Sequence, residues 1–343
     1  MKVLLDTTEF IKAIKILDKI KGDVTVVTAL NASSVNLIKA DGSSTLIKSI
    51  DSQLIQDGRI AIPQEIVNLI KKLQPGKLTL TDTKIETETR TIQFEPTTTY
   101  MSTDDFSMCE EAFRTTESEL HRMVEVKYAA AQDEVRPILN GVYFNQNETC
   151  ALDGFRLSIR KGSYSSDKSF VVDKKTIEVL DSILDTKLDR EVVVTISANQ
   201  VNFTIPGEVE LVGRLLEGTP VKYEQILPRE FNVISKIDVK ALKDEINFIG
   251  SSKPKIVKMK FTEELLELST LSSLGGLTGI LKCPTIFNNS DGEFAIAFNP
   301  KYIREALKNY KEDIEFRFNG CASPLIITKD GKNLEMILPV RMS

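Results

Sequence analysis

The sequence predicts an α+β fold of three similar domains, each with two helices packed on antiparallel sheets. Three observations predict it. Six segments carry the apolar periodicity of amphipathic helices. They begin near residues 7, 63, 117, 173, 238 and 300, at intervals of about 56, 54, 56, 65 and 62 residues. Between them lie short alternating or apolar segments bounded by turn residues, the pattern of antiparallel strands. One helix followed by several strands therefore recurs six times, as a repeat of pattern and not of identical residues. One helix cannot cover a whole sheet, so paired units sharing a core are the economical arrangement. Pairing gives domains at 1–110, 111–231 and 232–343, with the clearest linker after Leu227-Pro228. At 343 residues the chain is too long for one ordinary domain.

The first helix is expected over 7–20, with Phe10, Ile11, Ile14 and Leu17 on one face, Asp6 or Thr7 as cap and Gly22 as stop. The second runs over 63–73, from Pro63 to the Pro75-Gly76 stop. The third spans 117–131, and the fourth 174–184 behind an Asp173 cap. The fifth spans 239–249, capped by Asp238 and stopped by Gly250. The sixth spans 300–310, with Asn299 at the cap and Pro300 at the first helical position. Strands are expected at 24–28, 34–39, 44–50, 77–81, 91–95, 192–196, 201–205, 256–261, 265–269 and 334–340. Asp41-Gly42, Asp57-Gly58 and Asp330-Gly331 supply turns between them. Gly275-Gly276-Leu277-Thr278-Gly279 reads as a flexible turn.

Composition narrows the function classes. Apolar residues make up 41% and charged residues 27%, the balance of a soluble globular chain. No apolar run approaches the roughly 18 residues of a membrane span, and the three-residue apolar stretch in MKVLLDTTEF is too short for a signal peptide. Cys109, Cys150, Cys283 and Cys321 are scattered, with no CxxC pair and one histidine, His121. Free thiols in a reducing cytoplasm and no metal follow as expectations.

Net charge is −5, which argues against a protein that coats nucleic acid with a basic exterior. Distribution matters more than the sum. On the first helix Lys12, Lys15 and Lys19 fall within about 60° of one another. On the sixth, Lys301, Arg304, Lys308 and Lys311 repeat the pattern over about 80°. Lys71-Lys72, Lys174-Lys175 and Lys240 with Lys243 add basic residues to three others. A lysine stripe on one helix is ordinarily just its solvated face. Two equivalent stripes in an acidic chain suit a surface that meets phosphates without reading bases. Glu9, Glu65, Glu119 and Glu305 keep the helices from being uniformly positive.

Catalytic patterns do not emerge. His121, in Leu120-His121-Arg122, suits a surface position better than general acid–base work. There is no G-x-x-x-x-G-K-[ST] phosphate loop and no G-x-S-x-G elbow. Asp104-Asp105 and Glu110-Glu111 lack companions that would complete a metal site. A non-enzymatic binding protein without a cofactor is expected.

Several stretches resemble the bacterial sliding clamp family, the beta subunit of DNA polymerase III. Glu134-Val-Arg-Pro-Ile-Leu-Asn-Gly-Val-Tyr-Phe144 looks like a strand entry of that family's second domain. Ala151-Leu-Asp-Gly-Phe-Arg-Leu-Ser158 resembles its A-T-D-G-H-R-L-A signature. Leu211-Val-Gly-Arg-Leu-Leu-Glu-Gly218 with Tyr223-Glu-Gln-Ile-Leu-Pro228 resembles the end of the same domain. Phe298-Asn-Pro-Lys-Tyr302 and Leu338-Pro-Val-Arg-Met-Ser343 match the third. Order and spacing hold over 134–343, while the first domain rests on pattern alone.

The resemblance implies three DNA-clamp domains per chain and a head-to-tail dimer closed into a ring around duplex DNA. The ring would tether the replicative DNA polymerase subunit for processive synthesis, after placement by a clamp loader. Its helices would line the hole, with Lys12, Lys15, Lys19, Lys301, Arg304, Lys308 and Lys311 facing DNA. The resemblance further implies a pocket between domains two and three. That pocket would receive peptides, typically with a Gln and bulky apolar residues, from polymerases, the loader and repair proteins. It would be built from Leu139, Leu152, Gly154, Phe155, Arg156, Leu157, Val221, Ile226, Asn299, Tyr302, Leu338, Pro339, Val340 and Arg341. Arg156 and Arg341 are costly to bury for packing alone, which favours a pocket over plain core. Phe248 and Ile249 fall where the family packs one subunit on the next, against a surface near 93–101. Three departures stand out: Leu152 and Phe155 replace the family's usual Thr and His, and 251–255 lacks the usual pattern. They leave room for a specialised phage, plasmid or second-copy clamp serving a non-standard polymerase.

Overall fold

The computed structural model describes residues 1–29, 33–97, 109–219, 221–250, 256–272, 275–288 and 292–341. Expectations placed on Asp104-Asp105, on 98–101 and on 251–255 lie outside them. The fold is α+β, with antiparallel sheets and six α-helices among the described residues: α1 (Thr7–Leu17), α2 (Gln64–Ile70), α3 (Glu117–Val124), α4 (Lys174–Ile183), α5 (Val239–Gly250) and α6 (Pro300–Leu307). Two compact units form. One comprises Met1–His121 with Ser163–Glu217, and the other Arg122–Gly162 with Gly218–Ser343.

The first unit holds an antiparallel sheet that runs, strand by strand, Glu110–Thr116, Glu191–Ile196, Gln200–Ile205, Val209–Arg214, Ser44–Asp51, Ser34–Ala40, Val24–Ala29 and Gly58–Pro63. A second sheet has the order Gln53–Gln56, Lys2–Asp6, Lys77–Thr81, Lys84–Thr87 and Thr91–Gln93. Helix α1 starts where expected because the Asp6 carboxylate accepts the Thr8 and Glu9 amides at 2.8 and 3.0 Å. It buries Phe10, Ala13, Ile14 and Leu17. Each large member of that row contributes about 1.5–3 kcal/mol of burial. Helix α4 is capped by Asp173, whose side chain accepts the Lys175 amide at 2.9 Å.

The second unit holds a sheet whose strands pair in the order Gly141–Asn145, Glu148–Leu152, Arg156–Lys161, Asn333–Ile337, Leu325–Thr328, Ile314–Phe318, Val233–Ile237 and Thr285–Phe287. A four-stranded sheet runs Gly275–Lys282, Leu265–Ser272, Val257–Thr262 and Glu293–Phe298. Helices α5 and α6 pack on each other. They close a core with Phe261, Phe298, Phe316 and Phe318 near its centre. Asn299 caps α6 by accepting the Lys301 amide at 2.9 Å, with Pro300 in its first turn.

Several expectations need correction, beginning with helices α1, α2 and α6, which end at Leu17, Ile70 and Leu307, short of the expected 20, 73 and 310. The third helix does not run to 131: α3 ends at Val124 and a 3-10 turn, Glu125–Ala129, follows. Glycines 275–279 do not form a turn. They open the strand Gly275–Lys282, paired along its length with Leu265–Ser272. The glycine has a packing reason. A Cβ on Gly279 would run into the Glu245 carboxylate of α5, which would have to swing aside.

Candidate functional site

One tight turn in the second unit organises the expected peptide-binding residues. The Asp153 amide donates to the Arg156 carbonyl at 3.2 Å. The Asp153 carboxylate in turn accepts the Phe155 and Arg156 amides at 3.0 and 3.1 Å. Gly154 sits at φ +88°, a left-handed conformation that side chains resist. The turn lifts Phe155 outward, leaving it 59% exposed, and sends Arg156 inward to 8%. The Phe155 carbonyl accepts the Leu338 amide at 2.9 Å, and the Val340 amide donates to Ala297 at 2.8 Å. The segment after the last strand is thereby pinned beside the turn.

Arg156 is the electrostatic centre. Its Nε donates to Asp153 at 2.9 Å, its Nη2 to the Tyr128 carbonyl at 2.9 Å, and its Nη1 to Glu305 of α6. The guanidinium also stands 4.7 Å from the Tyr302 ring centroid and 5.2 Å from that of Tyr128. Burial opposes its charge, but Glu305 and Asp153 outweigh that and hold its pKa above the ordinary value. Phe155 stacks against Tyr302 with centroids 6.2 Å apart and planes inclined by 22°. Burial raises the Tyr302 phenol pKa.

The remaining expected pocket residues divide by exposure. Leu139, Leu152 and Leu157 are buried. Ile226 and Leu338 are exposed, as are Gly154 and Arg341, while Val221, Asn299, Pro339 and Val340 are half-buried. Arg341 therefore incurs no burial cost, and only Arg156 meets that expectation.

Beneath the turn lies a buried polar cluster that sequence reasoning missed. Arg160, 1% exposed, pairs with Glu335 at 2.6 Å. Glu335 also accepts the Tyr128 hydroxyl at 2.5 Å. Burial drives the Tyr128 phenol pKa well up, and the Glu335 charge adds to the effect. The strand Arg156–Lys161 is buried on both faces, so no alternation marks which polar residues point inward.

The two expected basic stripes differ. Helix α1 ends at Leu17, so Lys19 lies past it and outside the expected helical stripe; Lys12 is held by Glu9 at 2.8 Å, while Lys15 and Lys19 meet no carboxylate among the described residues. Helix α6 ends at Leu307, so only Lys301 and Arg304 lie on it, with Lys308 at its C-cap and Lys311 beyond; all four are exposed and none is ion-paired among the described residues. Lys243 of α5 joins them, donating to the Lys308 and Tyr310 carbonyls at 3.4 and 2.6 Å. A groove between α5 and α6 is lined by Lys243, Asn247, Arg304 and Lys308 over Ile246 and Leu307. Burial, and then the neighbouring Lys311, lower the Lys243 pKa. Of the expected interface pair, Phe248 is 58% exposed and Ile249 lies fully in the core.

Among the described residues no three His, Cys, Asp or Glu side chains group closely enough to hold a metal. His121 pairs with Asp181 at 2.7 Å. No helix there is long and apolar enough to cross a membrane. All four cysteines are free thiols.

This arrangement is the fold of bacterial sliding clamps. A beta-subunit structure from Eubacterium rectale superposes with a TM-score of 0.90 at 23% identity, covering all of both chains. A sliding clamp from Bartonella birtlesii, bound to griselimycin, does so at 0.88 and 19%, again over all of both chains. In sequence, the beta sliding clamp of Rickettsia bellii is 25% identical over 381 aligned residues, covering all of this chain and of that protein. Family models for the central and C-terminal domains of the DNA polymerase III beta subunit match residues 114–220 and 224–341. The chain belongs to the DNA polymerase III beta-subunit family, the beta sliding clamps.

Proposed function

We propose that the protein is a DNA sliding clamp that encircles duplex DNA and tethers the replicative polymerase for processive synthesis. The two family models, in order over 114–341, carry the reading. We divide the chain into domains 1–110, 111–231 and 232–343; the models begin at 114 and 224, near the two junctions, and leave the first domain to the pattern of its elements. The subunit acts as a head-to-tail homodimer. A heterologous contact of this kind must close into a ring or it grows into a filament. The function is topological and non-catalytic, and it belongs to the cytoplasm. The ring holds DNA through phosphate contacts, which carry no sequence information and so permit sliding. The unpaired cations on and just after α6, with Lys12 and Lys15 of α1 and Lys19 beyond its end, suit that contact.

Partners arrive through the cleft around Phe155, Arg156 and Tyr302. They are the polymerase subunit, the clamp loader, and other polymerases and repair proteins that carry a clamp-binding peptide. Tethering raises the local concentration of each without new contacts to DNA. The griselimycin-bound Bartonella clamp supports a ligand site in this fold. Protein placed on nicked circular DNA by a loader should stay bound during gel filtration and fall off once the circle is linearised. Retention indifferent to linearisation would refute the ring. Phe155 and Leu152 favour one variant of the reading, a specialised clamp. Failure to bind the host replicative polymerase's tail, together with binding of another polymerase's peptide, would support that variant.

A further inference from the structure

We infer that the cluster of Tyr128, Arg160 and Glu335 is a register lock. It fixes which residue of the strand Arg156–Lys161 faces which residue of the strand Asn333–Ile337, between the second and third domains as divided above. The lock acts within one chain, so it stands or falls independently of ring closure. The two strands pair antiparallel, with Leu157 opposite Met336, Ser158 opposite Glu335 and Ile159 opposite Leu334. They come from distant parts of the chain, so no hairpin turn sets their register. A slip by one residue is excluded by the side chains themselves, because it would turn Leu157 and Ile159 to the opposite face of the sheet. A slip by two residues keeps every side chain on its own face. In one direction it sets the buried Ile159 against the exposed Lys332, an unfavourable exchange. In the other it sets Leu157 opposite Leu338 and Ile159 opposite Met336, and the apolar face alone does not forbid it.

The polar face does. Glu335 is fully buried and is held from two sides: it pairs with Arg160 at 2.6 Å and accepts the Tyr128 hydroxyl at 2.5 Å. Arg160 belongs to the facing strand, whereas Tyr128 comes from the 3-10 turn Glu125–Ala129, a separate element. In the slipped register Glu335 would stand opposite Arg160, so the ion pair would survive. The carboxylate would also lie about 7 Å farther along the strand, two residues at roughly 3.4 Å each. That takes it out of reach of Tyr128, and Ile337 would come to the place beside the hydroxyl. A hydroxyl left facing an isoleucine has lost its acceptor, and this loss weighs on the slipped register alone. The lock is thus a triangulation. The facing strand supplies the charge, and a third element sets how far along that strand the carboxylate must sit. Fixing register is the purpose that polar groups inside a core serve best where apolar packing leaves alternatives open.

Disulfide formation in the full chain reads the register. Lys161 and Lys332 are exposed and face each other, the Lys161 amide donating to the Lys332 carbonyl at 3.0 Å. Lys161→Cys with Lys332→Cys reports the observed register. Lys161→Cys with Leu334→Cys reports the slipped one, since cysteines two places out of register stand beyond the roughly 7 Å that a disulfide spans. Each variant is first shown to unfold cooperatively in urea, then oxidised mildly, and its linked peptides are identified by mass spectrometry. With the cluster intact only the first pair should close. With Tyr128→Phe, Arg160→Met and Glu335→Leu combined, the second pair should close as well, its yield at least about tenfold above that of the intact cluster, the scale of a lost hydrogen bond to a charged group. Closure of the first pair alone in the combined variant would mean that the backbone contacts of Leu338 and Val340 set the register unaided, and it overturns the inference. Tyr128→Phe by itself keeps the ion pair and decides the matter if the combined variant does not fold. Its second pair should then close too, and a second pair that stays open overturns the inference.

Discussion

Arg156 makes contacts to Asp153, Glu305 and the Tyr128 carbonyl that no other side chain can reproduce at once. Arg156→Ala should lower stability by about 2 kcal/mol, measured by urea unfolding, because two partly buried carboxylates lose their partner. It should also weaken peptide binding about tenfold in an anisotropy titration. Arg156→Lys keeps the charge but not the planar fork, and should recover only part of either loss. Deeper in the same unit, Glu335→Leu removes the closer carboxylate of the buried Arg160, 2.6 Å away, and leaves it only the 3.5 Å contact to Glu125. A cost of about 3–5 kcal/mol is expected on unfolding, the range for breaking a buried pair from one side. The two arginines show what residue-level reading can reach. Arg156 was legible because it falls within a recognisable run, Leu152-Asp-Gly-Phe-Arg156. Arg160 was not, because Glu335 comes from a strand far along the chain, and nothing local to either announces the pair. Ile249 shows the converse. The family resemblance put it with Phe248 at a subunit contact, yet helical geometry turns adjacent residues about 100° apart, and Ile249 points into the core.

At the scale of elements, caps were the most readable signals. Asp6, Asp173, Asp238 and Asn299 each hold a helix amide as expected. Helix ends were less readable, since the α3 sequence continues in helical period past Val124 while tertiary packing tightens it to a 3-10 turn. The glycine-rich strand was misread because its pairing partner, Leu265–Ser272, decides its conformation, and only Gly279 faces a side chain of α5. The start of α3 has a further device. Glu117 is wholly buried and accepts the Asp185 and Arg190 amides at 2.9 and 3.0 Å, besides pairing with the Arg190 guanidinium. Burial alone would raise its pKa, but Arg190 and the two amides more than reverse this and lower it below 4.5. A depressed carboxylate pKa gives stability that is present above 4.5 and lost as pH falls through the folded value. Acid unfolding of Glu117→Gln should thus show a lower plateau and a shallower loss below that pH. The unequal basic faces give another expectation. Arg304→Gln with Lys308→Gln should reduce the salt slope of duplex binding by about 0.9 per lost phosphate contact. Lys12→Gln should change it less, because Glu9 already neutralises Lys12.

For the whole molecule, sedimentation should give a mass twice 38.4 kDa. Phe248→Glu should shift it to the single-chain value without changing peptide affinity, since residue 248 lies outside the cleft. The three-domain plan was legible because helix starts recur at nearly even spacing, a signal that survives divergence of individual residues. Which faces meet a partner was not, because exposure depends on contacts made across the chain. The pinned turn at 153–156 has a kinetic meaning for the assembled clamp. Its backbone is locked by Asp153 and Leu338 before any partner arrives, so capture need not wait for a loop to order. Encounter rates would then be similar for all partners, and residence time alone would decide which one holds the ring. With partners docking there as proposed, a socket of that kind would work as a timer, the succession of proteins set by how slowly each lets go.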